Sequence, residues 1–509
     1  LKKIFLDPEA SLEVLNLNEN KTTLNEPKTL NHKTMKRRNF IKTTSTSSLA
    51  IATVPTILTG SRWRGANDRV NVAQIGINGM GQSHIQAYNK LKNVEVVALC
   101  DVDENLFAER IKKHFTDKGL NEPRKYIDMR KMFEDKNIDA VSITTPNHWH
   151  TLAAIWAIQA GKHVSVEKPC CHNIYEGQKL VEAAQKYDVI VQDGAEQRSN
   201  PSAISMAEYL HSGKMGEVYM AKGLCYKWRD SIGKYLDGPM NADEKFAFTV
   251  GSNNYVAPYT KQYLSKVDYS LWQGPAPEQP FNRNRFHYNW HWNWDYGNGD
   301  MGNQGVHEMD VARWGLGVKL PTRISSIGGH FVFDDAQNTP NTQNTIFEFA
   351  NPNGGSDKKK ILQFEVRHWI TNRELASKKG IETDNTYMTS SANEVGNLFY
   401  GSKGFMSKTV NDWQVFEGKD RTPTASGEGL DNHYQNYINA IRANDQKLAK
   451  ADIQEGFYSC ALIHLGNISY RLGRTLDFDP TTMKFKNDEA ANQMLKREYR
   501  APFVVPDKV

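Results

Sequence analysis

Three short stretches of this chain combine residue types that can hold a dinucleotide and move a proton. The first is Gly76-Ile77-Asn78-Gly79-Met80-Gly81, which directly follows the apolar run Val70 to Ile75 and precedes a helical pattern with Ile85, Tyr88 and Leu91. A strand that passes through small residues into a helix suits a pyrophosphate: the backbone can come close, and the free amides at the helix start supply donors and a positive dipole. The turn departs from G-x-G-x-x-G, because Asn78 takes the middle position and Gly79 comes one residue late. Asparagine tolerates left-handed backbone, so the turn can still form around Asn78. Asp101 stands about 20 residues after Gly81, at the end of a second apolar run, where a carboxylate can accept hydrogen bonds from ribose hydroxyls. Asp103 is a second candidate. A carboxylate there repels a 2′-phosphate and no arginine follows closely in sequence, so NAD is favoured over NADP.

The second stretch, Thr145-Pro146-Asn147-His148-Trp149-His150, follows the run Ala140 to Thr144, and the third, Glu167-Lys168-Pro169, follows His163 to Val166. Ligands of open α/β sheets bind at the carboxyl ends of the strands. Thr145, Pro146, Asn147, His150, Glu167 and Lys168 are therefore expected to converge on the cofactor with Gly76, Asn78, Gly79, Met80, Gly81 and Asp101.

The elements that must position these residues are legible in the same region. From about Asn67 to Asp193, short apolar runs alternate with helical patterns, as in successive βα units on a parallel sheet. The predicted strands include Val70 to Ile75, Val94 to Cys100, Ala140 to Thr144 and His163 to Val166. From about Gly194 the pattern changes. Ala195-Glu196-Gln197-Arg198-Ser199-Asn200-Pro201 opens this part, with Gln197 and Arg198 placed to face the cleft, and strand-like runs follow at Glu217 to Tyr226, Ile324 to Phe333, Asn344 to Phe349 and Lys360 to His368. The expected division is residues 1–66 as an upstream extension and signal, 67–193 as an NAD-binding Rossmann domain, 194–485 as a substrate-binding and oligomerisation domain, and 486–509 as a tail that wraps or docks.

A length of 509 residues implies more than one domain, and an apolar fraction of 39% without biased tracts beyond the first sixty residues fits a folded globular chain. The net charge of +5 is spread along the whole length, which gives no footprint for nucleic acid. No later segment approaches a membrane span. Cys100, Cys170, Cys171, Cys225 and Cys460 are too few and too irregularly spaced for a disulfide framework or a zinc site, so no metal is expected. The neighbours Cys170 and Cys171 read as buried packing rather than a reactive pair.

From Met35 the sequence MKRRNFIKTTSTSSLAIATVPTIL has paired Arg37 and Arg38, then Phe40, Ile41 and Lys42, then a short apolar stretch. It looks like a twin-arginine export signal, which implies a periplasmic location with folding and cofactor uptake before export. The apolar part is too short for a stable membrane anchor. The stretch before Met35 reads as an upstream extension of the true start.

With the GINGMG turn, the TPNHWH segment, the EKP motif and a later NQGVHEMD segment, the chain resembles the Gfo/Idh/MocA family of oxidoreductases from about Asn67 to Pro480. The resemblance implies an α/β Rossmann domain with a parallel sheet, followed by an α+β domain with an open, mainly antiparallel sheet that forms homo-oligomer contacts. It places Lys168 near the nicotinamide and the reacting carbon, and it carries the family's D-x-G-x-H-x-x-D segment onto Asn303, Gly305, His307 and Asp310. Asn303 replaces the usual aspartate. An asparagine can orient a hydroxyl but cannot remove its proton, so His307 becomes the first choice as general base, with Lys168 stabilising alkoxide character.

Phe281 to Asp295 is the most unusual segment. If extended, it places Trp290, Trp292 and Trp294 on one side and His291, Asn293 and Asp295 on the other. The tryptophans suit core packing and a sugar platform equally, and the polar side is the better substrate candidate. His433 reads as a surface or capping histidine. The resulting expectation is hydride transfer between a sugar, glycoside or cyclitol carbon and tightly bound nicotinamide. The alternatives are an NAD-dependent glycoside hydrolase and a non-catalytic sugar-binding protein with structural NAD.

Overall fold

The computed structural model describes residues 69–250, 253–352, 359–368, 394–430 and 432–509. The segment read from sequence as a twin-arginine signal lies outside the described residues.

The first part alternates β1 (Val70–Ile75), α1 (Met80–Asn89), β2 (Val94–Cys100), α2 (Phe107–His114), β3 (Arg124–Tyr126), α3 (Met129–Phe133), β4 (Ala140–Ile143), α4 (Asn147–Gln159), β5 (His163–Val166), α5 (Ile174–Lys186) and β6 (Val191–Asp193). All strand pairs in this sheet are parallel, in the order β3-β2-β1-β4-β5-β6. The strand order reverses between β1 and β4, and the crevice there opens at the carboxyl ends. Both strands are buried almost throughout, as a sheet covered on two faces requires.

The second part begins with α6 (Pro201–His211), which has Pro201 in its first turn and an Asn200 side chain accepting from the Ser202 amide. After it come β7 (Val218–Tyr226), a hairpin of β8 (Phe246–Val250) and β9 (Asn253–Ala257), α7 (Lys261–Leu264), α8 (Tyr269–Gln273), α9 (Gly299–Asn303) and α10 (Gly305–Leu316). The chain continues through β10 (Arg323–Gly329), β11 (Thr342–Ala350), β12 (Lys359–Arg367), β13 (Glu394–Gly401), β14 (Gly404–Lys408), β15 (Asp412–Glu417), β16 (Thr422–Glu428), α11 (His433–Ala443), α12 (Ile453–Leu472), β17 (Leu476–Asp479), β18 (Lys484–Phe485) and α13 (Glu489–Gln493). Ten strands form one sheet in the order β16-β15-β14-β13-β7-β12-β11-β10-β17-β18. Only β7 and β12 pair in parallel; the other neighbours are antiparallel. On β11, Gln343, Thr345, Phe347 and Phe349 are buried while Ile346 and Ala350 are exposed, the period-two pattern of a sheet covered on one face. Helices α10 and α12 supply that cover.

Sequence order does not respect the two layers. Tyr437, Ile438, Ala440 and Ile441 of α11 share a core with Val70 and Val72 of β1, so a late helix completes the Rossmann layer. His433, at the start of α11, is buried and contacts the Ser199 hydroxyl at 2.9 Å and the Asp193 carbonyl at 3.0 Å, not the surface position expected for it. The final segment docks on the first layer: Phe503 packs edge-on against Trp149 and lies 6.5 Å from the Trp156 ring. Among the described residues no helix is long and apolar enough to cross a membrane.

Candidate functional site

The crevice between β1 and β4 is continuous with a cavity of about 680 Å³ that reaches α9, α10 and the segment following β7. Its lining includes Gly76, Asn78, Gly79, Met80, Asp101, Thr145, Pro146, Asn147, His150, Glu167, Lys168, His291, Asn303 and His307, so the fold brings these separate stretches together.

The glycine turn is built for close backbone approach. Gly76 has φ 79° and Gly79 φ 45°, so glycines hold the left-handed positions and Asn78 does not need to. A Cβ on Gly81 would stand 2.0 Å from the Gly76 carbonyl oxygen, and one on Gly76 would meet the Thr144 carbonyl at 2.8 Å. Asn78 is instead tied sideways, its Oδ1 accepting from Arg110 Nη2 at 2.8 Å. Arg110 comes from α2 and also donates to the Ile77 carbonyl at 3.2 Å, so an arginine does reach this loop although none stands close after Asp101 in sequence. The Asp101 carboxylate accepts from the Ile77 and Asp103 amides at 2.9 and 3.0 Å. Asp103 points elsewhere. It is fully buried, and its Oδ2 receives the Tyr263 hydroxyl at 2.5 Å and His287 Nε2 at 2.8 Å, which locks the Rossmann layer to the insertion between β7 and α9.

At the second strand end, Thr145 Oγ1 is buried at the cavity wall with no hydrogen-bond partner among the described residues. Both ring nitrogens of His150 face backbone carbonyls, Nδ1 that of Pro169 at 2.8 Å and Nε2 that of Thr145 at 2.7 Å, so this side chain braces the two strand ends against each other. Glu167 is braced as well: Oε1 meets His84 Nε2 at 2.9 Å and Oε2 accepts the Lys168 amide at 3.1 Å. Burial opposes its ionisation, but the His84 hydrogen bond and the nearby positive charges hold the carboxyl at about 2. His84, the third residue after Gly81, is a site residue that the sequence analysis missed.

Across the cavity, Lys168 Nζ donates to the Asn303 carbonyl at 2.6 Å. The Asn303 side chain donates to Asp300 Oδ1 at 3.0 Å. Asp300 in turn takes two hydrogen bonds from Arg229, at 3.1 and 3.0 Å, and lies 2.6 Å from His368 Nε2. Despite the cost of burying it, Arg229 and His368 keep this carboxyl well below the usual range. His307 Nδ1 lies 3.2 Å from Glu196 Oε2, outside hydrogen-bond alignment, and Lys227 contacts Gln304 one turn away. Lys227, Arg229, Glu196 and Gln304 all line the cavity, yet none was among the candidates. Arg229 and Lys227 sit on the strand extension after β7, where sequence alone gave no signal.

Four expected substrate residues are not at the cavity, and neither is Gln197. Arg198 makes two 2.7 Å bonds to Asp310, both residues are buried, and Ser459 also donates to Asp310 at 2.5 Å. This pair ties the start of the second part to α10 and α12. Gln197 Oε1 instead faces Lys408 Nζ at 3.4 Å. The aromatic segment is not extended: His287 has φ 59° and Asn289 to Trp292 coil into one 3-10 turn, which breaks the alternation. Asn293 then accepts the Asp295 amide at 3.0 Å, and Asp295 accepts from Gln279 at 2.5 Å, both away from the cavity. His291 alone of the three polar positions reaches it, stacked on Trp290 with ring centres 3.6 Å apart. Burial pushes its imidazole down to about 3, so it is neutral. Trp292 is buried beneath Arg229, 5.2 Å from ring centre to guanidinium, as core rather than platform.

The cysteines were expected to form neither a disulfide framework nor a zinc site, with Cys170 and Cys171 as buried packing. All five are buried and free, but the fold gathers Cys170, Cys171 and Cys460 so that their sulfurs lie within 4.8 Å of one another.

Residues 70–195 match an oxidoreductase family's NAD-binding Rossmann fold, and residues 221–327 and 419–505 match the same family's C-terminal alpha/beta domain. The chain belongs to the Gfo/Idh/MocA oxidoreductase family. It is 32% identical over 154 residues to inositol 2-dehydrogenase of Salmonella typhimurium, a match covering 30% of this chain and 44% of that one. It is 33% identical over 123 residues to a glycosyl hydrolase family 109 protein of Shewanella pealeana, covering 23% and 27% of the two chains. These alignments span less than half the length of either relative. Among solved structures, levoglucosan dehydrogenase in complex with NADH and levoglucosan superposes with a TM-score of 0.55 at 16% identity, covering 81% of this chain and 99% of that one. The aldose-aldose oxidoreductase of Caulobacter crescentus gives 0.56 at 14%, covering 81% and 100%. At such identities the likeness is one of fold.

Proposed function

We propose that this protein is a nicotinamide-dependent oxidoreductase that acts on the hydroxyl carbon of a sugar, glycoside or cyclitol, with NAD preferred to NADP. The observation that carries the reading is the meeting of Lys168, Asn303 and His307 in one cavity with the glycine turn. The residues present fit the cofactor. The turn around Gly76 and Gly81 leaves no room for a Cβ, the Asp101 carboxylate lines the cavity with lone pairs left for ribose hydroxyls, and Thr145 Oγ1 is an unsatisfied donor. Gly76, Gly79, Asp101 and Thr145 would hold the dinucleotide, whose nicotinamide would supply reversible hydride chemistry at the substrate carbon. His307 takes the hydroxyl proton, and the Glu196 carboxylate beside it stabilises the imidazolium that results. Lys168, held by the Asn303 carbonyl, offers its ammonium to the developing alkoxide. Arg229, Lys227 and neutral His291 supply the remaining polar surface for hydroxyl recognition.

The glycosyl hydrolase family 109 matches support a second reading, in which oxidation at one carbon acidifies the neighbouring C–H, the glycosidic group is eliminated, water adds to the resulting double bond, and the carbonyl is reduced back with no net redox change. Incubation with free sugars and aryl glycosides, following nicotinamide absorbance and aglycone release together, separates the two. A dehydrogenase reduces cofactor without aglycone release; a hydrolase releases aglycone with no net cofactor change. If neither signal appears over a broad panel, the enzymatic reading is wrong.

Export through the twin-arginine segment to the periplasm is part of the proposal, as is homo-oligomerisation. The exposed outer face of the ten-stranded sheet supports the latter, with Ile327 of β10, Ile346 of β11 and Ile361 of β12 all open to solvent.

A further inference from the structure

The cluster of Cys170, Cys171, Cys460 and His464 is used by none of the chemistry above. Cys170 and Cys171 follow the Lys168-Pro169 pair and precede α5, while Cys460 and His464 stand four residues apart on one face of α12. Three of the four are completely buried and His464 is 4% exposed. Cys170 Sγ is 3.7 Å from Cys460 Sγ, and Cys171 Sγ is 3.5 Å from His464 Nε2. Zinc bonds of about 2.3 Å to sulfur and about 2.0 Å to nitrogen, at tetrahedral angles, separate two sulfurs by ~3.8 Å and a sulfur from a nitrogen by ~3.6 Å. These two separations equal those between ligands of a tetrahedral ion, and the three sulfurs lie within 4.8 Å of one another; His464 stands outside that group of three and would close the tetrahedron by moving from Cys171 toward the other two sulfurs.

We propose that these four residues form a closed Cys3His site for a structural zinc ion. The donor set selects the metal. Three thiolates and an imidazole favour a thiophilic d10 ion, whereas calcium and magnesium require oxygen ligands. Four protein ligands leave no open position, so the ion takes no substrate. Binding converts three thiols to thiolates and releases three protons to solvent without any change in oxidation state. The site joins the loop that carries Lys168 to the helix behind the second sheet. Thr151 Oγ1 donates to the Cys170 carbonyl at 3.0 Å and His150 contacts the Pro169 carbonyl, so the same loop is already braced from α4. A metal would fix its other side and thereby the position of the lysine.

The test uses the full chain, grown with added zinc and purified without chelators. Elemental analysis should find about one zinc per chain surviving gel filtration, and Cys460→Ser and His464→Ala should each reduce this to below about a tenth. Replacement by cobalt should produce the intense thiolate-to-metal charge-transfer band of a tetrahedral site. If the variants fail to fold, the zinc content and the cobalt spectrum of the unaltered chain decide the matter. A chain that stays metal-free after reconstitution with zinc under reducing conditions overturns the proposal. So does a Cys170–Cys460 disulfide in metal-free native protein, or zinc retained in full by both folded variants.

Discussion

The ammonium of Lys168 lies 2.6 Å from the main-chain oxygen of Asn303, so the end of β5 is joined directly to the end of α9 across the cavity. One hydrogen bond thus joins the Rossmann layer to the second part of the chain. Any opening between them must break it, and any substrate hydroxyl entering there competes with it.

Replacing Lys168 or His307 by alanine should lower turnover by at least ~100-fold, the usual lower scale for loss of a positioned acid or base, while bound nucleotide is retained. Steady-state rates paired with assay of nucleotide released on denaturation check both halves. Near-normal rates in both variants would move the chemistry to other residues, with Glu196 and Arg229 next in line.

Gly81→Ala should do the opposite. The added Cβ meets the Gly76 carbonyl oxygen at 2.0 Å, and a backbone atom cannot rotate aside as a side chain would. The turn must open, so nucleotide should be lost from the purified protein and the melting temperature should no longer respond to added NAD. A variant that still binds NAD with unchanged affinity would show that the turn has slack the geometry does not suggest.

Much of the first layer was legible because its signals are local. β1, β2 and β5 have the bounds read from sequence, and Gly76, Asp101 and Lys168 stand where strand ends must bring them. The second layer was less so. The strand expected at Ile324 to Phe333 stops at Gly329, and Val332 takes φ 72°. Position in the chain placed Arg198 near the cleft and the family resemblance placed Asp310 there, but neither could say which way the side chain faces. His307 and Asp310 are three apart on α10; the first lines the cavity, while the second turns to Arg198 and Ser459. Arg229, Asp300 and His368 meet from three distant segments, and no local pattern announces such a meeting.

Asp310→Ala should accordingly be a stability variant and not a substrate-binding one. Removing one partner of a buried ion pair leaves the other charge uncompensated, at a cost of about 3–5 kcal/mol. Thermal melting should reveal the loss, whereas KM of whatever folded enzyme remains should be unchanged within about twofold. A large rise in KM with normal melting would restore Asp310 to the substrate site.

Glu308 offers a pH signature. Burial raises its carboxyl to about 7, and Oε2 has no hydrogen-bond partner among the described residues. The folded state therefore holds a proton that the unfolded chain, near 4.5, has released. Between those values the unfolded state binds fewer protons, so stability falls as pH rises, by about 3 kcal/mol. Glu308→Gln removes this dependence. The melting temperature of the variant relative to the parent should rise from pH 5 to pH 7.5; a constant difference would mean that Glu308 is ionised throughout.

Asn303→Asp probes the one departure from the family's D-x-G-x-H-x-x-D segment. In the native chain the Asn303 amide donates to Asp300 Oδ1 at 3.0 Å, while Asp300 is buried and already committed to Arg229 and His368. A carboxylate at 303 can no longer donate when ionised and would stand against a like charge, so the new group should keep its proton to a higher pH than an ordinary aspartate. Protonated, it reproduces the amide's hydrogen bond. Ionised, it becomes a base beside Lys168 and His307. The expected result is an active enzyme whose pH–rate profile gains a limb absent from the parent, with the added activity appearing as the new carboxyl ionises. In the Asn303→Asp, His307→Ala double variant that limb should persist and restore part of the turnover lost by His307→Ala alone. Complete inactivity of the single variant would mean that the amide's bond to Asp300 is indispensable for holding Arg229 and the cavity wall in place. An unchanged profile would show that the residue at 303 does not exchange protons with the substrate.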